Sequence, residues 1–189
     1  MIVNFFKFQK GFTMIELLVS VSIIAFLMSI FITNYRGGSR QLELSLAAQK
    51  MASDIRLAQS KGLGSAEYNN SVPAGGWGVY FDRSVNDKRY LVFADLNNNK
   101  IYDAGEAITG YGGSTVDLPI NISISDLKFN VSTTNRLNIT FVPPDPTTNI
   151  YSSSFSPATT TFGSIVLRES TDNSISTIKV NSFGLIEVQ

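Results

Sequence analysis

Without a single His or Cys among its 189 residues, this chain has only oxygen and nitrogen groups with which to do chemistry. Ser-His-Asp and Cys-His catalysis, His/Cys zinc sites and any disulfide framework are therefore excluded. Two constellations remain. The first is Lys10-Gly11-Phe12-Thr13-Met14-Ile15-Glu16, where a basic leader ends in glycine and the apolar run Leu17–Thr33 follows. A carboxylate inside such a run costs roughly 2.5–3.5 kcal/mol on insertion scales, so Glu16 is a functional candidate. The second is Asp95-Leu-Asn97-Asn-Asn99-Lys-Ile101-Tyr-Asp103-Ala-Gly-Glu106. Its side-chain oxygens fall at positions 1, 3, 5, 9 and 12 of a twelve-residue calcium loop, and Ile101 offers a backbone carbonyl at position 7.

The elements that must position these residues are legible in outline. Residues 12–35 are long enough to span a bilayer, which needs about 20 apolar residues. An ordinary secretory signal would end in a small-residue cleavage site after its apolar stretch, and none follows here. Residues 36–64 continue the helix as an amphipathic segment, with Leu44, Ala47, Ala48, Met51, Ile55 and Ala58 at helical spacing. Arg40, Glu43, Lys50, Asp54 and Lys61 fall largely off that stripe. Gly37-Gly38 is expected to kink or locally melt the helix, and Gly62-Leu63-Gly64 to end it.

Residues 65–189 read as a β-domain. Trp77–Phe81 and Tyr90–Ala94 flank a turn at Asn86-Asp87 and form a hairpin. Short runs follow at Val116–Leu118, Ile120–Ile124 and Leu127–Val131. Leu137, Ile139 and Phe141 alternate with Asn138 and Thr140. Residues 147–161 read as a Ser/Thr-rich loop after Pro143-Pro144-Asp145-Pro146, and the chain closes on Ser164–Glu169, Ser174–Val180 and Leu185–Val188. The fold class is α+β: a long N-terminal helix packed on an antiparallel β-sheet domain.

The junction Gly11-Phe12, with Glu16 at the head of an apolar helix, closely resembles the signal of type IV pilins and of the pseudopilins of type II secretion. That resemblance implies a leader at residues 1–11, removed by a prepilin peptidase between Gly11 and Phe12, and N-methylation of Phe12. It also implies that Glu16 meets the terminal amine of a neighbouring subunit, so that two charges are neutralised in an apolar bundle. Leu46–Lys61 further resembles the H-type minor pseudopilins and related minor pilins, with Gln59 where that branch usually carries Arg. The implied function is a structural minor subunit, not an enzyme. Its partners would be other pilin or pseudopilin subunits, the peptidase and an inner-membrane assembly platform. Its location would be a single pass through the cytoplasmic membrane, with the β-domain outside the cytoplasm, before entry into a filament.

Two alternatives stand beside this reading. Some minor pilins of competence pili bind DNA through arginines around a glycine near the C-terminus. Here the neighbours of Gly184 are Leu185 and Glu187, and the chain has equal numbers of basic and acidic side chains, so no specific nucleic-acid binding is expected. A major pilin is disfavoured by the long multi-strand domain and by Thr33, which stands where that family places a proline. No spacing singles out a catalytic pair from Asp82, Asp87 and Asp103. No cofactor is expected, with Ca²⁺ as the one candidate. Lys100 at position 6 and the lack of flanking helices favour an Asn-rich hairpin turn over a calcium site.

Overall fold

In the computed structural model, residues 11–108, 115–143, 148–152 and 162–189 are described, with only the helical path given for residues 33–37. Of the expected leader, residues 1–11, only Gly11 falls among them. The chain divides into an N-terminal unit ending at Ser39 and a second unit, Arg40–Gln189. Helix α1, Met14–Leu63, runs on through Gly37-Gly38, so the helix does not melt there. Two glycines cost about 2 kcal/mol relative to alanine in a helix interior, less than the hydrogen bonds a break would expose.

In the second unit α1 contributes the stripe legible in the sequence. Leu44, Ala47, Ala48, Met51, Ala52, Ile55 and Ala58 are all buried in one apolar cluster with residues of both sheets. Four alanines on this face leave room for a close approach. Gly62 extends it, since a Cβ there would lie 2.4 Å from the Phe141 carbonyl oxygen. The residue that leaves the helix with a positive φ is Ser65, not Gly64, and the last turn closes through Gly64 N–H to Ser60 O and Ala66 N–H to Lys61 O.

The strands are β1 Gly76–Asp82, β2 Arg89–Asp95, β3 Val116–Asp117, β4 Ile122–Phe129, β5 Ser132–Thr134, β6 Arg136–Phe141, β7 Thr148–Ser152, β8 Phe162–Glu169, β9 Ile175–Asn181 and β10 Ile186–Val188. They form two antiparallel five-stranded sheets, ordered β3-β2-β1-β6-β7 and β10-β9-β8-β4-β5. The expected hairpin is β1-β2, with Val79 opposite Val92. Two expectations are corrected. Ile120–Ile124 and Leu127–Val131 are not separate strands: Ile122–Phe129 is one strand with a bulge between Ile124 and Asp126. The bulge absorbs one residue, so Ile122, Ile124, Leu127 and Phe129 all reach the core despite the broken alternation. Within the stretch read as a Ser/Thr loop, Thr148–Ser152 pairs with β6, and residues 153–161 lie outside the described residues.

The first sheet is covered on both faces. Trp77, Val79 and Phe81 of β1, with Leu137, Ile139 and Phe141 of β6, face the main core. Asn138 and Thr140, which the alternation assigns to solvent, are buried as well. Their cover is the segment after β2: Tyr102 stands against Tyr80 and Phe93, with ring centroids 5.0 and 5.7 Å away, and its N–H donates to Asn138 Oδ1 at 2.9 Å.

Candidate processing and assembly site

Gly11, Phe12 and Thr13 precede the first helical turn and are exposed, Phe12 at 81%. What holds them out of the helix is a cap. Thr13 Oγ1 accepts the Glu16 N–H at 3.3 Å, and the Thr13 hydroxyl lies 3.5 Å from Glu16 Oε2 as donor. Thr-x-x-Glu before an apolar run is a sequence signature of a helix N-terminus, and here its Thr13 N-cap bond is formed. It was present in the sequence as Thr13-x-x-Glu16, and reading Glu16 only as an intramembrane charge passes over it. The cap marks the start of the helix, so Gly11 and Phe12 lie outside it and are exposed. It also sets Glu16 in the first turn, where a carboxylate is favoured by the helix dipole.

Beyond the cap, Met14–Ile32 has a mean hydropathy of 2.5 and none of it is buried within the chain. Its polar residues are satisfied internally: Ser20 and Ser22 donate to the carbonyls of Glu16 and Leu18 at 2.7 and 2.8 Å. Such back-bonded hydroxyls present little unsatisfied polarity to lipid or to neighbouring helices. The segment is an apolar cylinder with one carboxylate near its start.

The second candidate, Asp95–Glu106, leaves the end of β2 and returns beside it, with Ala107 bridging to Phe93. Asp95 Oδ2 accepts the Lys100 N–H at 2.8 Å. Asn97 Oδ1 accepts Asn99 N–H and Asn99 Oδ1 accepts Ile101 N–H, while both amide Nδ2 groups donate to Asp103 Oδ2 at 2.7 Å. Glu106 accepts Leu96 N–H through one oxygen and Asp103 N–H through the other. Asp95, Asp103 and Glu106 do not converge on one point among the described residues. The sharp turn that glycine makes in such loops is made here by Lys100 itself, at φ 68°.

Two of the carboxylates considered as acid-base partners, Asp82 and Asp103, are otherwise engaged. Burial alone would raise the Asp82 carboxyl, but hydrogen bonds from Ser84 and Tyr80 and the Arg136 guanidinium hold it below the usual carboxylate value. An acid kept ionised this way is a poor proton donor at neutral pH. Near the C-terminus, Gly184 has φ 81° and its carbonyl accepts from Gln59 Nε2 at 2.9 Å. Arg56 donates to the Ile186 carbonyl at 3.0 Å. The helix residue and the terminal glycine singled out separately in the sequence are thus hydrogen-bonded partners, while Leu185 and Glu187 are exposed beside them.

An exposed Gly11-Phe12-Thr13 segment before a membrane-length apolar helix, in an α+β chain, fits an N-anchored membrane protein. Residues 6–32 match the prokaryotic N-terminal methylation motif, the signal of type IV pilins and pseudopilins, which are structural proteins processed by prepilin peptidase. No curated protein and no solved structure matches the chain.

Proposed function

We propose that this chain is a structural minor subunit of a type IV pilus or a type II secretion pseudopilus. The observation that carries the reading is the N-terminus: an exposed Gly11-Phe12 bond outside the helix, a Thr13 N-cap on Glu16, and then an apolar helix with no cover of its own. Cleavage exposes an ammonium group on Phe12 one residue before the cap. In a bundle of such helices the Glu16 of one subunit pairs with the Phe12 amine of the next and sets their axial register. Unpaired, either charge would be costly in an apolar bundle. The β-domain then sits on the filament surface or at its tip, outside the cytoplasm.

The test is Glu16→Gln beside Glu16→Leu in the native host. Gln keeps a side-chain acceptor for Thr13 but loses the charge. Both variants should reach the membrane at wild-type levels, since each removes an intramembrane charge, and both should be depleted from sheared filaments at least tenfold. Wild-type incorporation of Glu16→Gln would show that the carboxylate serves the cap alone and would sink the register role.

A further inference from the structure

We propose that the outer face of the first sheet holds a binding site for an acidic sugar, with Arg89 and Arg136 taking its carboxylate. A cavity of about 460 Å³ opens there beside the β1-β2 turn, and Tyr80, Asp82, Asn86, Arg89, Tyr102 and Arg136 are among its lining residues. That is a size common to small-molecule sites. Its charged groups form a row across three strands. Asp82 on β1 pairs with Arg136 on β6, and Arg89 on β2 falls opposite Asp82, one step beyond the Phe81–Tyr90 pair. Directly opposed residues of neighbouring strands share a face, so two guanidinium groups flank one carboxylate. Arg136 Nε donates to Asp82 Oδ2 at 2.8 Å. This contact orients the guanidinium and leaves its two terminal nitrogens without a partner among the described residues. A guanidinium held in this way is ready for a bidentate contact with an anion. Arg89 is exposed and makes no hydrogen bond or ion pair among the described residues, although Asp117 stands opposite it on β3.

Charge decides the class of ligand. Two arginines and one carboxylate leave the lining with one positive charge in excess, which matches a monoanion. Asp82 is not free to receive a cationic group. Its Oδ1 accepts from the Ser84 N–H, the Ser84 hydroxyl and the Val85 N–H, and its Oδ2 from the Tyr80 hydroxyl and Arg136. The ammonium group of an amino acid would therefore find no open carboxylate in the cavity. A polyanion is disfavoured as well, because Asp82 between the two arginines repels a second negative charge. The rest of the lining suits a ring that carries hydroxyl groups. Asn86 spends its Oδ1 on the Lys88 N–H, so its amide hydrogens are open to a ligand. The Tyr102 hydroxyl has no partner among the described residues and can donate or accept. The Tyr80 and Tyr102 rings, with centroids 5.0 Å apart, add apolar surface for the C–H groups of a saturated ring. A simple carboxylic acid would engage the arginines and leave the other polar groups to water. A uronate, with its carboxylate on a hydroxylated ring, engages both. All of these residues belong to the second unit, so the site stands whether or not the chain enters a filament.

The experiment uses the full chain in micelles of a detergent without a sugar head group, titrated calorimetrically with sodium glucuronate and sodium galacturonate. Glucose, sodium acetate and inorganic phosphate are the comparison probes. The expected result is saturable one-to-one binding of at least one uronate, with glucose, acetate and phosphate each at least tenfold weaker. Arg89→Gln should melt like the wild type, since Arg89 is exposed and unpartnered among the described residues, yet bind the uronate at least tenfold more weakly. Arg89→Lys, which keeps the charge, should recover part of that loss. A uronate trimer that binds more tightly than the monomer would mark a polysaccharide as the source, and equal affinity would mark the free sugar; either supports the site. No saturable uronate binding in the millimolar range, acetate or phosphate binding as tightly as the uronate, or unchanged affinity in Arg89→Gln would each overturn the proposal.

Discussion

Removing one phenolic oxygen should measure how firmly α1 is tied to the first sheet. Tyr90 on β2 is 2% exposed, and its hydroxyl donates to Asp54 Oδ2 on the helix at 2.6 Å. Asp54, which helical spacing places largely off the apolar stripe, is itself only 4% exposed. Its other partner is Lys50, with Nζ 2.7 Å from both carboxylate oxygens. The Lys50 side chain is 58% exposed, so water screens that pair and it contributes little. The phenol carries most of the load. A buried hydrogen bond to a charged acceptor contributes about 1.5–3 kcal/mol. In Tyr90→Phe the ring remains, still 5.7 Å from Phe81, so little is lost to packing. For a chain of this length each kcal/mol moves the melting temperature by roughly 2–4 °C, so Tyr90→Phe should melt about 3–12 °C lower. Thermal denaturation followed by circular dichroism at pH 7 is the assay, with Lys50→Gln as the control and a shift of about 2 °C or less expected there. If Tyr90→Phe melts within a degree of the wild type, or Lys50→Gln costs more than Tyr90→Phe, the assignment of the load to the phenol is wrong.

Burial, reinforced by the Asp54 hydrogen bond, pushes the Tyr90 phenol above its ordinary value, and burial with the Asp82 hydrogen bond does the same for Tyr80. Because the fold favours the protonated phenols, their contribution is complete below pH of about 10 and is lost as pH rises beyond it. Denaturant titrations from pH 8 to 11 should therefore show falling stability, with a shallower slope in Tyr90→Phe; equal slopes would refute the linkage. Gly184→Ala should destabilise the second unit by about 1–3 kcal/mol, since φ is 81° and the new Cβ would lie 2.5 Å from Gln59 Nε2. Gln59→Ala in the same background should recover part of that loss, and strictly additive losses would show that the two positions are not in conflict.

How much of this was legible in the sequence depended on whether a residue's neighbours were local. The α1 stripe, the β1-β2 hairpin and the apolar half of β6 follow from periodicity, because each buries one face against a single core. The burial of Asn138 does not, since it depends on Tyr102 arriving from a loop that is 36 residues earlier in the chain. Asp54 reads as a surface acid until Tyr90 is placed opposite it. The β4 bulge disguises one strand as two by shifting the parity of its apolar residues. At the candidate sites the pattern was visible but its weighing was not. The Thr13-x-x-Glu16 cap was there to be read, whereas nothing in the spacing of Asp95–Glu106 showed that Lys100 would make the turn at φ 68°.

The account rests on the first residues of the mature chain, and mass spectrometry of the protein from sheared filaments and membranes of its native host reads them directly. The predicted N-terminal peptide begins at Phe12 and carries one added methyl group, because residues 6–32 match the N-terminal methylation motif and the Gly11-Phe12 bond lies exposed ahead of the helix. An assembled protein that still begins at Met1, or one trimmed beyond Glu16, would contradict it.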